Sequence, residues 1–183
     1  MNGDEAAAAV IDALEAQRIP YMVVGSFSSN FYGVQRATHD ADFVVQLEPG
    51  MITALVNHLG PSFRLDPQMS FETVTATRRF VLHLVDSPFS IELFLLSDDA
   101  HDVERFARRR REHVADRDVF MPTAEDVIIM KIRWSRSGRR LKDIDDVQNV
   151  ITIQGDRIDW DYVNSWCDRH GTRELLDSVR QSL

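Results

Sequence analysis

Apolar residues in the first sixty positions recur at spacings that alternate between helix and strand periods. Pro20 ends a first helical pattern, and the apolar run Tyr21–Val24 follows it directly. Ser26 is expected to cap the next short helix, and Gly33 to close it. The pattern therefore predicts, in order, a helix at 5–17, a strand at 21–24, a helix at 26–32, a strand at 42–47 and a helix at 51–59.

The stretch 62–96 is strand-like, because 71–77 alternates with period two and the runs 80–85 and 91–96 are apolar. A helix or irregular segment is expected at 98–110, followed by short strands near 112–120. After Pro122 the pattern becomes helical, with Thr123 as N-cap and Asp126 completing a capping box. The remaining helices are predicted from 124 to about 134, from 140 to 153, from 159 to 169 and from 172 to 182, with Ser137 and Gly138 separating the first two.

These elements indicate an α/β (α+β) fold, a mixed sheet flanked by helices with a helical C-terminal extension. The expected division is a strand-rich core at 1–121 and a helical part at 122–183 packed on it as one unit. The chain of 183 residues is 44% hydrophobic and 27% charged, which is enough apolar material for a core. We expect no membrane partner and a cytoplasmic location, since no apolar run approaches the roughly 18 residues that span a bilayer.

The net charge of −8 argues against a generally basic, duplex-wrapping protein. The one cysteine, Cys167, excludes an intrachain disulfide and a cysteine-rich zinc site. Nineteen of the 21 basic residues are arginine, and five of them lie within 105–111. Such a run is usually a solvated helix face, although arginine also pairs well with phosphate, so local phosphate recognition stays open.

Asp40 and Asp42 stand two residues apart at the start of an apolar strand, so both carboxylates face the same side of a sheet. Two carboxylates about 4 Å apart repel by about 4 kcal/mol at an effective dielectric constant near 20. A divalent cation relieves that repulsion, and oxygen ligands favour Mg²⁺ or Mn²⁺. The alternative is a solvated entry to the strand in which an aspartate caps a turn.

Gly25 and Ser26 stand where a strand passes into a helix, and Ser26 precedes Asp40 by fourteen residues. Free backbone N–H groups at such a helix start suit an anionic phosphate, and glycine allows the phosphate to approach closely.

This combination resembles the nucleotidyltransferase superfamily with the polymerase-beta-like core. The matching residues are Met22-Val23-Val24-Gly25-Ser26 and Asp40-Ala41-Asp42-Phe43-Val44. The form Arg36-x-Thr38-x-Asp40-x-Asp42 is similar to bacterial AbiEii-type nucleotidyltransferases, some of them related to toxin–antitoxin systems. Glu92 matches the third carboxylate of the superfamily, where aspartate is also common. Lys131 and the run Lys142-Asp143-Ile144-Asp145-Asp146 match the two helical motifs of the AbiEii type.

The resemblance implies metal-dependent transfer of a nucleoside monophosphate from an NTP to an acceptor hydroxyl. Asp40, Asp42 and Glu92 would be the catalytic and metal-binding residues, with Mg²⁺ or Mn²⁺ as cofactor. The implied nucleotide- and phosphate-binding residues are Gly25, Ser26, Arg36, Thr38, Lys131 and Asp143. The acceptor is RNA, a protein or a small molecule such as an aminoglycoside, and a cognate toxin or antitoxin is a possible partner.

Other interpretations of these residues stay open. Arg36 and Thr38 equally well order the loop before the strand, and Lys131 equally well extends its amine outward to solvent. Asp143 and Asp146 share a helical face and alternatively pair there with Arg139, Arg140 or Lys142, an interpretation that is favoured for Asp146. For the whole chain, the competing hypothesis is a catalytically silent nucleotide-binding or protein-interaction module of the same fold. A nucleic-acid-binding regulator is disfavoured, because the chain shows no helix-turn-helix signature.

Overall fold

A computed structural model describes residues 1–48, 50–136 and 141–183. The strands are β1 (Tyr21–Val24), β2 (Asp40–Val45), β3 (Phe63–Leu65), β4 (Ser70–Glu72), β5 (Thr77–Leu84), β6 (Ser90–Leu95), β7 (Arg110–Val114) and β8 (Arg117–Met121). The α-helices are α1 (Gly3–Ala16), α2 (Gly25–Tyr32), α3 (Met51–Leu59), α4 (Ala100–Arg108), α5 (Ala124–Ser135), α6 (Leu141–Gln154), α7 (Trp160–His170) and α8 (Arg173–Gln181). A short 3-10 helix, Gly155–Arg157, follows α6.

Six strands form one mixed sheet in the order β1-β2-β6-β5-β3, with β4 also paired to β5. The central pair β2 and β6 is parallel, and the other pairs are antiparallel. Strands β7 and β8 form a separate hairpin, and Phe120 of β8 stacks edge-on against Tyr21 of β1 at 5.6 Å between ring centroids. The mixed sheet with flanking helices confirms the predicted α/β fold class.

The two faces of this sheet have different roles. On one face, Ala41, Phe43 and Leu93 are buried with α1 and α3 in the main hydrophobic core. On the other face, Val44 and Phe94 belong to a small apolar cluster that helices α4 and α5 cover in part. Polar strand residues on this second face therefore open into a space between the sheet and α5.

The C-terminal helices build a hydrophobic cluster of their own. It includes Ile128 and Ile132 of α5, Val147 of α6, Val163 of α7 and Leu176 of α8. This segregation is compatible with the expected division into 1–121 and 122–183, which stays a prediction. None of the helices in the described ranges is long and apolar enough to cross a membrane.

Two local predictions are wrong. Ser26 does not cap α2, because the helix already begins at Gly25 and its N-cap position is Val24. The alternating run 71–77 is not one strand, because a turn separates β4 from β5. The Glu72 carboxylate accepts hydrogen bonds from the backbone N–H groups of Val74 and Thr75, which stabilises that turn. The predicted separator at Ser137 and Gly138 lies outside the described residues.

Candidate active site

Three carboxylates come together on the polar face of the central strands. The parallel register of β2 and β6 places Asp42 directly opposite Glu92. Asp40 lies two residues before Asp42 on the same face, while Ala41 between them is buried in the main core. All three acids line one cavity of about 190 Å³ between the sheet and α5. The sequence prediction that Asp40 and Asp42 share a face is thereby confirmed.

Asp42 is the acid most affected by its surroundings. Burial raises its pKa, and the neighbouring charges of Asp40 and Glu92 raise it further, to about 7. Lys131 and Lys142 act in the opposite direction but do not compensate. At neutral pH the basic side chains described around the cavity therefore do not fully neutralise its carboxylates. A bound cation would stabilise the remaining negative charge.

Gly25 lies against this carboxylate. This glycine follows β1 directly, is the first residue of α2 and has a φ of +62°. A Cβ atom built on it would lie 1.9 Å from Asp42 Oδ2. Only glycine therefore allows the helix start and the aspartate to approach so closely. Of the described side chains, none caps the N-terminus of α2, so its first N–H groups stay available to an anion.

Two of the acids already accept hydrogen bonds. Thr38 donates its hydroxyl to Asp40 Oδ1 at 2.5 Å. Arg79 of β5 donates Nη1 to Glu92 Oε2 at 2.8 Å, and its Nε–H bonds Ser70 Oγ at 2.8 Å. Thr38 therefore orients the first aspartate, and an arginine that the sequence analysis did not select holds the glutamate.

The donor set fits a divalent ion bound through two carboxylates. Within the described ranges, no three His, Cys, Asp or Glu side chains are spaced to ligate one metal ion. Mg²⁺ sites of nucleotide enzymes, however, use one or two protein carboxylates together with substrate phosphates and water. Asp40 and Asp42 meet that requirement, whereas the ligand role of Glu92 stays a prediction because Arg79 occupies one of its oxygens.

Behind the helix start lies a buried cluster of ion pairs centred on Asp146. Arg36 donates Nε–H to Oδ1 at 2.8 Å and Nη2–H to Oδ2 at 2.7 Å. Lys131 Nζ lies 2.7 Å from the same Oδ2 and 2.9 Å from Asp143 Oδ1. Burial alone would raise the pKa of Asp146, but the hydrogen bonds from Arg36 and Lys131 outweigh it and lower the pKa to about 2.

This cluster corrects two expectations. Asp146 pairs with Arg36 and Lys131 from other elements, and the expected partners Arg139 and Arg140 lie outside the described residues. Lys131 does not extend to solvent. The residue is only 9% exposed, and its amine donates hydrogen bonds to Asp143 and Asp146. The partners of buried charges depend on how α2, α5 and α6 pack, which the spacing along one helix does not reveal.

The predicted phosphate-binding residues divide into two groups. Gly25 and Ser26 line the cavity together with Lys131 and Asp143. Arg36 does not line it, but its Nη2–H bonds Ser26 Oγ at 3.0 Å. The structure therefore links the Asp146 cluster to the start of α2 through Arg36.

The wall of the cavity formed by α4 and α5 was not found from the sequence. It combines the apolar side chains of Met130 and Trp134 with the buried aspartates Asp102 and Asp126, and it faces Phe94 of β6. Both aspartates are already partnered, Asp102 by Arg105 and Asp126 by His101 and Tyr162. No composition signal marks this wall, because it depends on the packing of α4 and α5, which lie on either side of the β7–β8 hairpin along the chain.

A helix opened by glycine after a strand, beside carboxylates on two parallel strands, defines the nucleotidyltransferase fold. The chain belongs to the family described as "Nucleotidyltransferase of unknown function (DUF6036)", whose model matches residues 3–180. No curated protein matches the chain in sequence. The AbiEii-type assignment within the superfamily stays a prediction.

Solved structures of an antibiotic-resistance factor and of an antibiotic adenylyltransferase share the fold. The solution structure of the antibiotic-resistance factor ANT(2'')-Ia is 15% identical, covers 97% of this chain and 96% of its own, and has a TM-score of 0.64. Its crystal structure with adenylyl-2''-tobramycin is 16% identical, with coverage of 92% and 96% and a TM-score of 0.65. The lincomycin-bound lincosamide adenylyltransferase LnuA is 14% identical, with coverage of 81% and 96% and a TM-score of 0.54. At these identities the likeness establishes the fold alone.

Proposed function

We propose that this protein transfers a nucleoside monophosphate from an NTP to the hydroxyl group of a small-molecule acceptor. The observation that carries the proposal is the meeting of Asp40, Asp42 and Glu92 in one cavity beside the start of α2. The family membership and the unbalanced negative charge around Asp42 support it.

Asp40 and Asp42 would hold Mg²⁺ or Mn²⁺ bound to the nucleotide. When bound there, such an ion would neutralise triphosphate oxygens and would stabilise the negative charge on the leaving pyrophosphate. Thr38 keeps the Asp40 carboxylate oriented through its hydrogen bond to Oδ1. The backbone N–H groups at Gly25 and Ser26 bind phosphate oxygens at the positive end of α2.

Glu92 accepts the proton of the attacking hydroxyl in this proposal. Its Oε2 is held by Arg79, which fixes the carboxylate, so Oε1 is the atom that takes the proton. The acceptor oxygen then forms a bond to the α-phosphorus, and the bond from that phosphorus to the pyrophosphate oxygen breaks. The attacking oxygen and the leaving oxygen both need charged or polar groups held in place around them. The three acids and the N-terminus of α2 must therefore keep their relative positions.

A small-molecule acceptor is favoured over RNA or protein by two observations. The fold is shared with the antibiotic-resistance factor ANT(2'')-Ia over 97% of this chain, and with the lincosamide antibiotic adenylyltransferase LnuA over 81% of it. The cavity is also limited in volume and walled by the apolar side chains of Phe94, Met130 and Trp134. A cognate toxin or antitoxin partner stays a prediction that no observation on this chain supports.

The test is transfer of label from each of the four α-³²P-labelled NTPs in the presence of Mg²⁺. Aminoglycosides, lincosamides, and the RNA, protein and metabolite fractions of a cell extract serve as acceptors. We expect a labelled small molecule with wild-type protein and none with Asp40→Ala. Label on RNA or protein would overturn the acceptor class. NTP binding without transfer to any fraction would favour the catalytically silent module.

A further inference from the structure

The basic side chains around the cavity differ in whether they already form ion pairs with carboxylates. Among the residues that the structure describes, four with basic side chains line the cavity: Arg79, Arg105, Lys131 and Lys142. Arg79 is paired with Glu92, and the buried Arg105 is paired with Asp102. Neither can turn to a new anion without leaving a carboxylate of the cavity wall unpaired.

Lys131 is committed even more firmly. Its amine bonds Asp143 and Asp146, and all three side chains are buried. Moving this amine onto a phosphate would break two buried ion pairs at once, at a cost of several kcal/mol. The sequence motif therefore predicted as a phosphate ligand a lysine whose amine forms buried ion pairs within the fold.

Lys142 differs from these three. It lies at the start of α6, is exposed, and lines the cavity next to Asp143. Across residues 1–48, 50–136 and 141–183 it forms no ion pair and no side-chain hydrogen bond. It nevertheless lines the same cavity as the carboxylates of Asp40, Asp42 and Glu92. It is thus a cation within electrostatic reach of the acids whose charge no described carboxylate takes up.

We propose that Lys142, and not Lys131, is the side chain that binds the triphosphate and then the departing pyrophosphate. This inference rests on the proposed function, since it assigns the phosphate-binding cation of the same site. An ammonium on a long flexible stem can follow the phosphate as the bond to the α-phosphorus breaks. Its exposure also means that binding phosphate disrupts no packed ion pair.

The direct probe is inorganic pyrophosphate with Mg²⁺, measured by calorimetry on the full chain. Lys142→Ala should weaken pyrophosphate binding roughly tenfold to a hundredfold, the effect of losing one hydrogen bond to a charged group. In turnover it should raise the KM for the NTP and leave the KM for the acceptor unchanged. Lys142→Arg should restore most of both losses. Arg64→Ala removes an exposed cation of β3 that does not line the cavity, and it should behave as wild type.

A second measurement uses the scarcity of lysine, because Lys131 and Lys142 are the two lysines of the chain. An amine-acylating ester should modify the exposed Lys142, and peptide mapping separates that product from the N-terminal amine. Saturating Mg²⁺–pyrophosphate should slow modification of Lys142 severalfold and leave the N-terminal rate unchanged.

The outcomes separate the two proposals. If wild-type protein binds pyrophosphate or transfers nucleotide while Lys142→Ala matches it within twofold, the assignment of Lys142 is overturned and the proposed function stands. Unprotected Lys142 in the pyrophosphate-bound protein leads to the same conclusion. If the wild-type chain binds neither NTP nor pyrophosphate and transfers nothing, the proposed function itself fails.

Discussion

The guanidinium of Arg36 meets the carboxylate of Asp146 in two parallel hydrogen bonds, Nε to Oδ1 at 2.8 Å and Nη2 to Oδ2 at 2.7 Å. Arg36 lies in the loop before β2, and Asp146 lies on α6. The same arginine bonds Ser26, so this pair connects the C-terminal helices to the start of α2. Lys131 completes the cluster from α5.

Asp146→Asn should therefore destabilise the fold. It leaves the charges of Lys131 and Arg36 without their shared carboxylate, and breaking a buried pair costs roughly 3–5 kcal/mol. We expect the lower end of that range, because Arg36 is partly exposed. Denaturant unfolding measures the change. Asp145→Asn, at the exposed neighbouring position, should change the free energy of unfolding by less than about 0.5 kcal/mol. Equal stability of the two variants would contradict the role of the cluster.

Gly25→Ala should reduce catalytic activity by far more than its modest loss of stability explains. A Cβ there would meet Asp42 Oδ2 at 1.9 Å, so the carboxylate or the helix start must move. A displacement near 1 Å in an active site can reduce the rate about a hundredfold. The left-handed backbone at φ +62° adds about 1–2 kcal/mol of strain for a non-glycine residue.

Gly60→Ala is the matched control for that substitution. Gly60 also has a positive φ, +77°, but a Cβ there meets no atom within 4 Å. Its backbone, at φ +77° and ψ −168°, is also unfavourable for alanine, so the variant should lose stability in thermal unfolding and keep full activity. If both alanine variants lose activity equally, the close approach of Gly25 to Asp42 is not what the site requires.

The sequence predicted the part of the site that lies within short stretches of the chain. The two-residue period placed Asp40 and Asp42 on one face, and Gly25 followed from the passage of a strand into a helix. Glu92 came from the resemblance together with its apolar strand, and the register of β2 and β6 brings it opposite Asp42. Local spacing is sufficient for Asp40, Asp42 and Gly25, because each depends on one strand or on one passage from strand to helix.

The residues that the sequence did not reveal depend on packing between distant elements. Arg79 lies diagonally across from Glu92 only because β5 pairs antiparallel with β6, Arg79 being opposite Phe94. An antiparallel hairpin of β5 and β6 could have been drawn from the sequence, but its register could not. Similarly, nothing local distinguishes Lys131, which is used internally, from Lys142, which is exposed to the cavity.

A histidine on α7 should make the protein sensitive to mild acid. Burial lowers the pKa of His170, and the charges of Arg133 and His101 lower it further, to about 4. The unfolded chain binds a proton near the ordinary pKa of 6.5, whereas the folded chain resists it. The free energy of unfolding is therefore highest above pH 6.5, falls as the pH drops towards 4, and loses roughly 1–3 kcal/mol from this group.

His170→Phe should remove that part of the pH dependence. The ring position stays packed against Trp166 and His101, at centroid distances of 5.4 and 5.3 Å, but no longer titrates. Chemical unfolding at pH 7 and pH 4.5 should show a smaller loss for the variant than for wild type. His58→Phe, at an exposed position on α3, should keep the wild-type loss. If His170→Phe loses as much stability between pH 7 and pH 4.5 as wild type does, His170 is not the source of the acid sensitivity.

Stabilisation by nucleotide should require both a divalent ion and the aspartate pair. With an NTP at about a hundred times its Kd, mass action raises the free energy of unfolding by about 2.7 kcal/mol. We expect this gain with Mg²⁺ and its loss with EDTA, because the triphosphate and the acids around Asp42 repel each other without a cation. Asp40→Asn and Asp42→Asn should each abolish most of the gain, and Asp156→Asn, exposed in the 3-10 helix, should retain it. Stabilisation that persists undiminished in either site variant, or that is equal with EDTA, would mean that the nucleotide binds without metal held by these carboxylates.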